Sequence, residues 1–116
     1  MTDDPIADLQ ARLRDFARER DWEQFHNPKN LAMALAAEVG ELVEIFQWLT
    51  PQQAANVMAS ERSDDVRDEL ADVLIYLVRL ADVVGVDLPA AADRKVSVND
   101  ARYPADLVRG RSDTKD

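Results

Sequence analysis

Apolar residues recur at intervals of three and four positions along most of the 116-residue chain. Because this spacing places them on one face of an α-helix, it predicts helices rather than strands. The first helix is expected to run from Pro5 to about Arg20, and the second from Pro28 to about Leu49. No stretch alternates apolar and polar residues as a half-buried strand does. The pattern therefore predicts an all-α fold, a helical bundle of four to five helices.

Polar residues that can accept a hydrogen bond from a free backbone N–H mark the helix starts, and a proline often follows them. Beyond the second helix, the sequence predicts a short helix ending near Ser60 and a long one ending at Gly85. A last helix is expected to end near Ala101. The expected N-caps are Asp3 or Asp4, Asn27, Thr50, Ser63 and Asp87.

The chain length suits one domain, since 116 residues leave no room for a second hydrophobic core. Residues 1–104 are expected to form this single helical domain, because Tyr103-Pro104 ends the last helix. Residues 105–116 are polar and are expected to form a flexible C-terminal tail.

The net charge of −9 argues against polymeric nucleic acid and anionic membrane surfaces as partners. No apolar run is long enough to cross a membrane, and residues 1–8 lack the features of a signal peptide. The absence of cysteine excludes disulfides and thiolate metal sites and suits a reducing compartment. A cytoplasmic protein is therefore expected, and one that binds phosphates would need a metal cation as intermediary.

Two pairs of acidic residues lie inside apolar helices. Glu38 and Glu41 share one face of the second helix, and Glu69 and Asp72 share one face of the long helix after Ser63. No Lys or Arg follows any of them at i+4, so the carboxylates are costly at the edge of a core unless a cation lies among them. Oxygen ligands without cysteine favour Mg²⁺, with Mn²⁺ as a substitute.

The alternative is that these residues are ordinary solvated acids, since the chain has 23 Asp and Glu. The protein would then be a non-catalytic helical interaction or adaptor protein. The positions along the helices favour a metal site over solvated acids. Trp48 and Ile45 fall beside the first acidic pair, and Tyr76 flanks the second. Glu44, by contrast, is expected to face solvent, opposite the main apolar stripe formed by Leu31, Leu35, Val39, Leu42 and Phe46.

The last helix carries phosphate-binding residue types on one face, although a solvated basic stripe is the alternative. Lys95, Asn99 and Arg102 follow one another at helical spacing, and Tyr103 comes next. Trp22 and Trp48 are either platforms for a nucleobase or core residues, and His26 is either a polar contact in a pocket or a packing residue.

With these residues, the sequence resembles the all-α nucleoside triphosphate pyrophosphohydrolases of the MazG-like superfamily, most closely the dCTP pyrophosphatase branch. The resemblance extends from about Leu9 to Pro104 and is carried by the segments Arg20–His26, Asn30-Leu31, Glu38–Leu42, Phe46–Trp48, Asp68–Leu77, and Lys95, Asn99 and Arg102–Pro104.

This resemblance implies an enzyme that cleaves the α–β phosphate bond of a (deoxy)nucleoside triphosphate with Mg²⁺. Such an enzyme acts in house-cleaning of the nucleotide pool. The resemblance also implies a homodimer or homotetramer with sites built across subunits. One departure is Leu13, which stands where dCTP-type relatives can carry a polar residue that contacts the base. The implied metal ligands are Glu38, Glu41, Glu69 and Asp72; the implied phosphate contacts are Lys95, Asn99 and Tyr103, with Arg102 beside them; Trp22 and Trp48 would enclose the base, with His26 and Tyr76 near it.

Two further expectations concern the implied reaction and the assembly. Glu41 or Glu38 is expected to orient the attacking water, as the catalytic carboxylate. The second helix has two non-polar stripes, and Ile75 lies away from the main stripe of its own helix. Because a single bundle of this length cannot cover all of these faces, a homo-oligomer is expected.

Overall fold

The computed structural model describes residues 3–112. Within this range the chain contains α-helices and 3₁₀ turns but no strand, which confirms the all-α prediction. The chain divides into two compact units, Met1–Gly85 and Val86–Asp116. The helices are α1 (Pro5–Glu19), α2 (Pro28–Phe46), α3 (Pro51–Ala55), α4 (Ser63–Val84), α5 (Leu88–Arg102) and α6 (Ala105–Val108), with 3₁₀ turns at Glu23–Phe25 and Val57–Ala59.

Most of the expected helix caps form. The expected cap at Ser63 is wrong, because α4 already begins at Ser63, and Arg62 occupies the N-cap position with a side chain that accepts no hydrogen bond from the helix N–H groups. The Ser63 N–H is bonded instead to the Ser60 carbonyl, which continues the preceding turn into the helix. The side chains that accept backbone N–H hydrogen bonds as predicted are Asp4, Asn27, Thr50 and Asp87.

The end of α1 determines where Trp22 lies. The Trp22 N–H is bonded to the Ala17 carbonyl at 2.9 Å and the Asp21 N–H to the Arg18 carbonyl at 3.1 Å, which is a Schellman motif. This motif needs a left-handed residue, and Asp21 supplies it with a φ of 54°. Asp tolerates this conformation better than most residues other than Gly. The chain therefore reverses sharply and brings Trp22 back against the last turn of α1.

The core of the first unit lies where α2 and α4 pack together, with α1 against α4. The prediction for α2 needs a correction: Ile45 was expected beside the acids but is buried with Val57 and Val66, whereas Val39 is 41% exposed. The cause is the segment after α2, whose 3₁₀ turn contacts α4 and covers the end of α2 that carries Ile45.

Large apolar side chains on α2 and α4 remain exposed to solvent. Exposed apolar side chains commonly mark a protein–protein interface where they form a patch. We name this group the apolar face; its members are Val39, Val43, Leu70, Leu74 and Leu77.

The second unit contains α5 and α6. Asp87 caps α5 by accepting a hydrogen bond from the Ala90 N–H, and α5 ends before Tyr103, whose ring lies 5.5 Å from the Arg102 guanidinium carbon. The segment expected to be a flexible tail contains the short helix α6, and residues 113–116 lie outside the described range. The division into a domain of residues 1–104 and a tail stays a prediction. Among the described residues, no helix is long and apolar enough to span a membrane.

Candidate functional site

Three carboxylates from two helices meet in the first unit. Glu38 and Glu41 lie three positions apart on α2, and Glu69 lies on α4, which packs against α2. One oxygen from each of the three lies within 4.8 Å of the others. We call this group the acid cluster. Glu38 and Glu41, which the sequence placed on one face of the second helix, are thus joined by Glu69 from the neighbouring helix.

The acid cluster has buried oxygen atoms that lack partners. Glu38 Oε2 and Glu69 Oε2 are both buried, and neither has a hydrogen-bond partner among the described residues. Burial, together with the neighbouring carboxyls Glu38 and Glu41, raises the pKa of Glu69 to about 7. Burial is also the main reason that the pKa of Glu38 is raised, and the charges of Glu41 and Asp72 add to it. No positively charged side chain of the described residues is among the main causes of the pKa shifts of Glu38 and Glu69. A hard divalent cation that prefers oxygen ligands fits this group of carboxylates.

Asp72 takes a different position from the other three expected metal ligands. It lies one turn beyond Glu69 on α4 and lines a cavity, and it is not part of the acid cluster. Its charge nonetheless contributes to the raised pKa of Glu38. Asp72 therefore connects the acid cluster to the cavity, and its role as a metal ligand stays a prediction.

The cavity has a volume of about 400 Å³ and lies within the first unit. Four of its lining residues were singled out from the sequence, namely Trp22, His26, Asp72 and Tyr76. Ile75, which the sequence assigned to an interface, also lines the cavity, and its place in an interface stays a prediction. The remaining lining residues, which sequence reasoning did not propose as site residues, are Leu9, Arg12, Leu13, Phe16 and Arg79.

The two tryptophans have different surroundings. Trp22 lines the cavity, and its ring meets Phe16 edge to face at a centroid distance of 5.8 Å. The Arg20 guanidinium lies 3.6 Å from the centre of the Phe16 ring and supports it. Trp48 is 86% exposed and does not line this cavity. Trp48 is therefore not a core residue of this chain, and its predicted contact with a base stays a prediction.

A polar network that joins α1 to α4 lies at the cavity. Asp82 accepts hydrogen bonds from Arg14 Nη2 at 2.8 Å and Nε at 3.1 Å, from Gln10 Nε2 at 3.0 Å and from Arg79 Nη1 at 3.2 Å. Arg79 Nε donates to His26 Nδ1 at 3.1 Å. Burial and the Arg79 charge lower the pKa of His26, so its imidazole is neutral at physiological pH. The one signal in the sequence was an arginine within the apolar run from Leu77 to Leu80.

The predicted phosphate-binding residues lie in the second unit. Lys95, Asn99 and Arg102 are exposed on α5, and Tyr103 is half-buried just after the helix. Their spacing places them on one side of α5, as predicted. Their contact with phosphate stays a prediction.

Comparisons with known proteins agree with the resemblance seen in the sequence. The MazG-like family model matches residues 33–114. dCTP pyrophosphatase 1 from Homo sapiens is 49% identical over 108 residues, which are 92% of this chain and 64% of that protein. dCTP pyrophosphatase 1 from Bos taurus is 47% identical over 106 residues, which are 90% of this chain and 63% of that protein. The chain thus spans a little under two thirds of the length of these relatives.

A solved structure adds support for the fold. The crystal structure of a pyrophosphatase from Archaeoglobus fulgidus is 39% identical, with a TM-score of 0.82, and the match covers 90% of this chain and 96% of that one. The all-α fold is thus shared with that pyrophosphatase. The chain belongs to the MazG-like family.

The raised pKa of Glu69 predicts how stability and metal binding depend on pH. Its ordinary pKa is 4.5 and its folded value about 7, so the folded chain holds a proton that the unfolded chain releases between these values. The stability that this proton provides is present below pH 4.5 and is lost as the pH rises through about 7. If Mg²⁺ binds the acid cluster, it replaces this proton, so Mg²⁺ should raise the Tm more above pH 7 than below it.

Thermal unfolding across this pH range, with and without Mg²⁺, measures both effects. Glu69→Gln is the control for other carboxylates, because only the difference between this variant and the parent reports on Glu69. A Tm difference between Glu69→Gln and the parent that does not change with pH would contradict the raised pKa of Glu69.

Proposed function

We propose that this protein is a Mg²⁺-dependent nucleoside triphosphate pyrophosphohydrolase of the cytoplasmic nucleotide pool, cleaving the α–β bond to give a monophosphate and pyrophosphate. The observation that carries the proposal is the acid cluster, whose buried Glu38 and Glu69 oxygens lack partners among the described residues. Asp72, whose charge acts on Glu38, lines a cavity together with Trp22. The names of the relatives support the reaction, and dCTP or a modified nucleotide is the proposed substrate.

The residues of the acid cluster fit a bound Mg²⁺. Carboxylate oxygens are the ligands that Mg²⁺ prefers, and burial beside other carboxyls raises the pKa values of Glu38 and Glu69, a cost that a bound cation would offset. We propose Glu38, Glu41, Glu69 and Asp72 as the residues that hold it, with Mn²⁺ as a substitute. When bound, the ion neutralises charge on the phosphates.

We assign the orientation of water and the contacts with the base and phosphates to residues of the chain itself. Of the three clustered acids, Glu41 is the exposed one, so its carboxylate is accessible to a water molecule and is the preferred candidate to orient it. Glu38 is the second candidate. Trp22 offers an aromatic surface to the base at the cavity. Lys95, Asn99, Arg102 and Tyr103 are proposed to contact the phosphates.

Pyrophosphate release from each of the four dNTPs, measured with Mg²⁺ and with a chelator, tests the proposal. We expect release that depends on Mg²⁺ and yields the nucleoside monophosphate. Release of inorganic phosphate instead would place the cleavage at another bond. No hydrolysis of any nucleotide would overturn the proposal and favour the alternative of a helical interaction protein.

The apolar face predicts a homo-oligomer, a dimer or a tetramer. Val43 is 52% exposed and Leu70 is also 52% exposed, on the two helices that supply the acid cluster. Association of two copies would remove such side chains from water. Light scattering at micromolar concentration should give at least twice the 13.0 kDa chain mass. Val43→Lys with Leu70→Lys should shift the mass towards 13.0 kDa, and a monomeric parent protein would contradict the prediction.

A further inference from the structure

Arg79 is a buried cation at the wall of the cavity. Its exposed fraction is 7%, and it lies on α4 between apolar neighbours. Burying a guanidinium is costly unless hydrogen bonds and an opposite charge compensate it. The acid cluster does not require a cation at this position, two helical turns beyond Asp72.

The compensation of Arg79 within the chain is incomplete. Its anionic partner is Asp82, at 3.2 Å, but this carboxylate also receives two hydrogen bonds from Arg14 and one from Gln10. Two guanidinium groups therefore share one carboxylate. The Arg14 side chain is 45% exposed and accessible to water, whereas the Arg79 side chain is 8% exposed. The excess positive charge consequently lies on the buried residue that lines the cavity.

The bond between Arg79 and His26 fixes which hydrogen atoms face a ligand. His26 Nδ1 accepts from Arg79 Nε, so the proton of the neutral imidazole lies on Nε2. A guanidinium is also a donor only. Both residues line the cavity, and both can offer a ligand nothing but N–H donors.

The position of these donors matches the base of a nucleotide whose phosphates lie at the acid cluster. Asp72 and Arg79 are seven residues apart on α4, which is about 10 Å along the helix axis, and both line the cavity. If the phosphates lie at the acid cluster beside Asp72, the base extends towards Arg79. The α1 wall contributes Leu9, Leu13 and Phe16, which can form no side-chain hydrogen bonds to a base edge, and Arg12, which is again a donor only.

We propose that Arg79, together with His26, determines the base specificity of the site by selecting a base edge that has two adjacent acceptors. Cytosine offers N3 beside O2, and guanine offers N7 beside O6. Thymine and uracil place an N–H between their carbonyls, and adenine places its amino group beside N7. This inference rests on the proposed function, and it names the substrate class as cytosine or guanine nucleotides.

Wild-type protein provides the first test. With Mg²⁺, kcat/KM for dCTP or dGTP should exceed that for dTTP and dATP by about tenfold to a hundredfold. Removing one acceptor, with 3-deaza-dCTP or 7-deaza-dGTP, should lower kcat/KM at least about tenfold for the base that the site reads. These two analogues distinguish cytosine from guanine. Equal rates for all four dNTPs, or no effect of either analogue, would overturn the inference while leaving the hydrolase intact.

Variants provide the second test. Arg79→Gln replaces the donor fork with a mixed amide, and it should reduce the preference at least about tenfold, mainly through KM. Arg14→Met is the matched control, because it removes another Asp82 partner from outside the cavity lining. An equal fall for all nucleotides in Arg79→Gln, or the same loss of preference in Arg14→Met, would show that Arg79 only supports the fold.

Binding provides a readout that is independent of hydrolysis. Titration with dCMP, dGMP, dTMP and dAMP, followed by tryptophan fluorescence, should show the same order of affinity as the triphosphates. Arg79→Gln should weaken only the preferred monophosphate. If no triphosphate is hydrolysed, the proposed function fails, and these affinities still decide whether Arg79 selects the base. Identical affinities for the four monophosphates in the wild type would contradict the inference.

Discussion

Glu69→Gln is expected to lower kcat/KM by at least about 100-fold, because metal ligands contribute several kcal/mol to the stabilisation of a phosphoryl-transfer transition state. The same change should leave the chain folded. A buried Glu69 oxygen lacks a partner, and the pKa of this carboxyl is raised to about 7. A neutral amide removes the charge that is disfavoured there, so the metal-free Tm at pH above 7 should stay equal to that of the parent or rise.

Glu44→Gln is the matched control for this experiment. Glu44 lies on α2, like Glu38 and Glu41, but it is exposed and does not belong to the acid cluster. The same loss of one negative charge should leave both kcat/KM and the Mg²⁺-induced rise in Tm unchanged. Full activity of Glu69→Gln at saturating Mg²⁺, or equal losses in both variants, would exclude the acid cluster as the metal site.

Much of the fold follows from local features of the sequence. Helical periodicity and the caps at Asp4, Asn27, Thr50 and Asp87 depend on residues within one turn, and the structure has helices where these signals predict them. The acid pairs could also be placed on shared faces, because a spacing of three positions is a property of a single helix.

Features that depend on contacts between elements could not be predicted in this way. Ile45 and Val39 are both apolar residues of α2, and only the packing of the Val57–Ala59 turn decides that Ile45 is the buried one. Arg79 reads as an interruption of an apolar stripe until the fold brings His26 and Asp82 to it. The charge balance of such a network depends on residues distant in the sequence, so periodicity carries no information about it.

Trp22→Ala is expected to raise KM by about tenfold to a hundredfold, since stacking a base on an aromatic ring contributes about 1–3 kcal/mol. The change in kcat should be smaller, because stacking is equally strong in the ground state and the transition state. The fold should survive, because the hydrogen bond that places this residue uses its backbone N–H and the Ala17 carbonyl. Steady-state kinetics and thermal unfolding measure the two effects separately.

Trp48→Ala tests whether a second aromatic ring encloses the base. Trp48 is 86% exposed, so its removal takes almost no buried surface from the chain and should not lower the stability of the isolated fold. If Trp48 contacts the base, KM should rise as in Trp22→Ala, and quenching of the remaining tryptophan fluorescence by nucleotide should weaken. An unchanged KM with a lower oligomer mass would instead make Trp48 an interface residue. An unchanged KM with an unchanged mass would leave Trp22 as the single aromatic platform, since it is the tryptophan that lines the cavity.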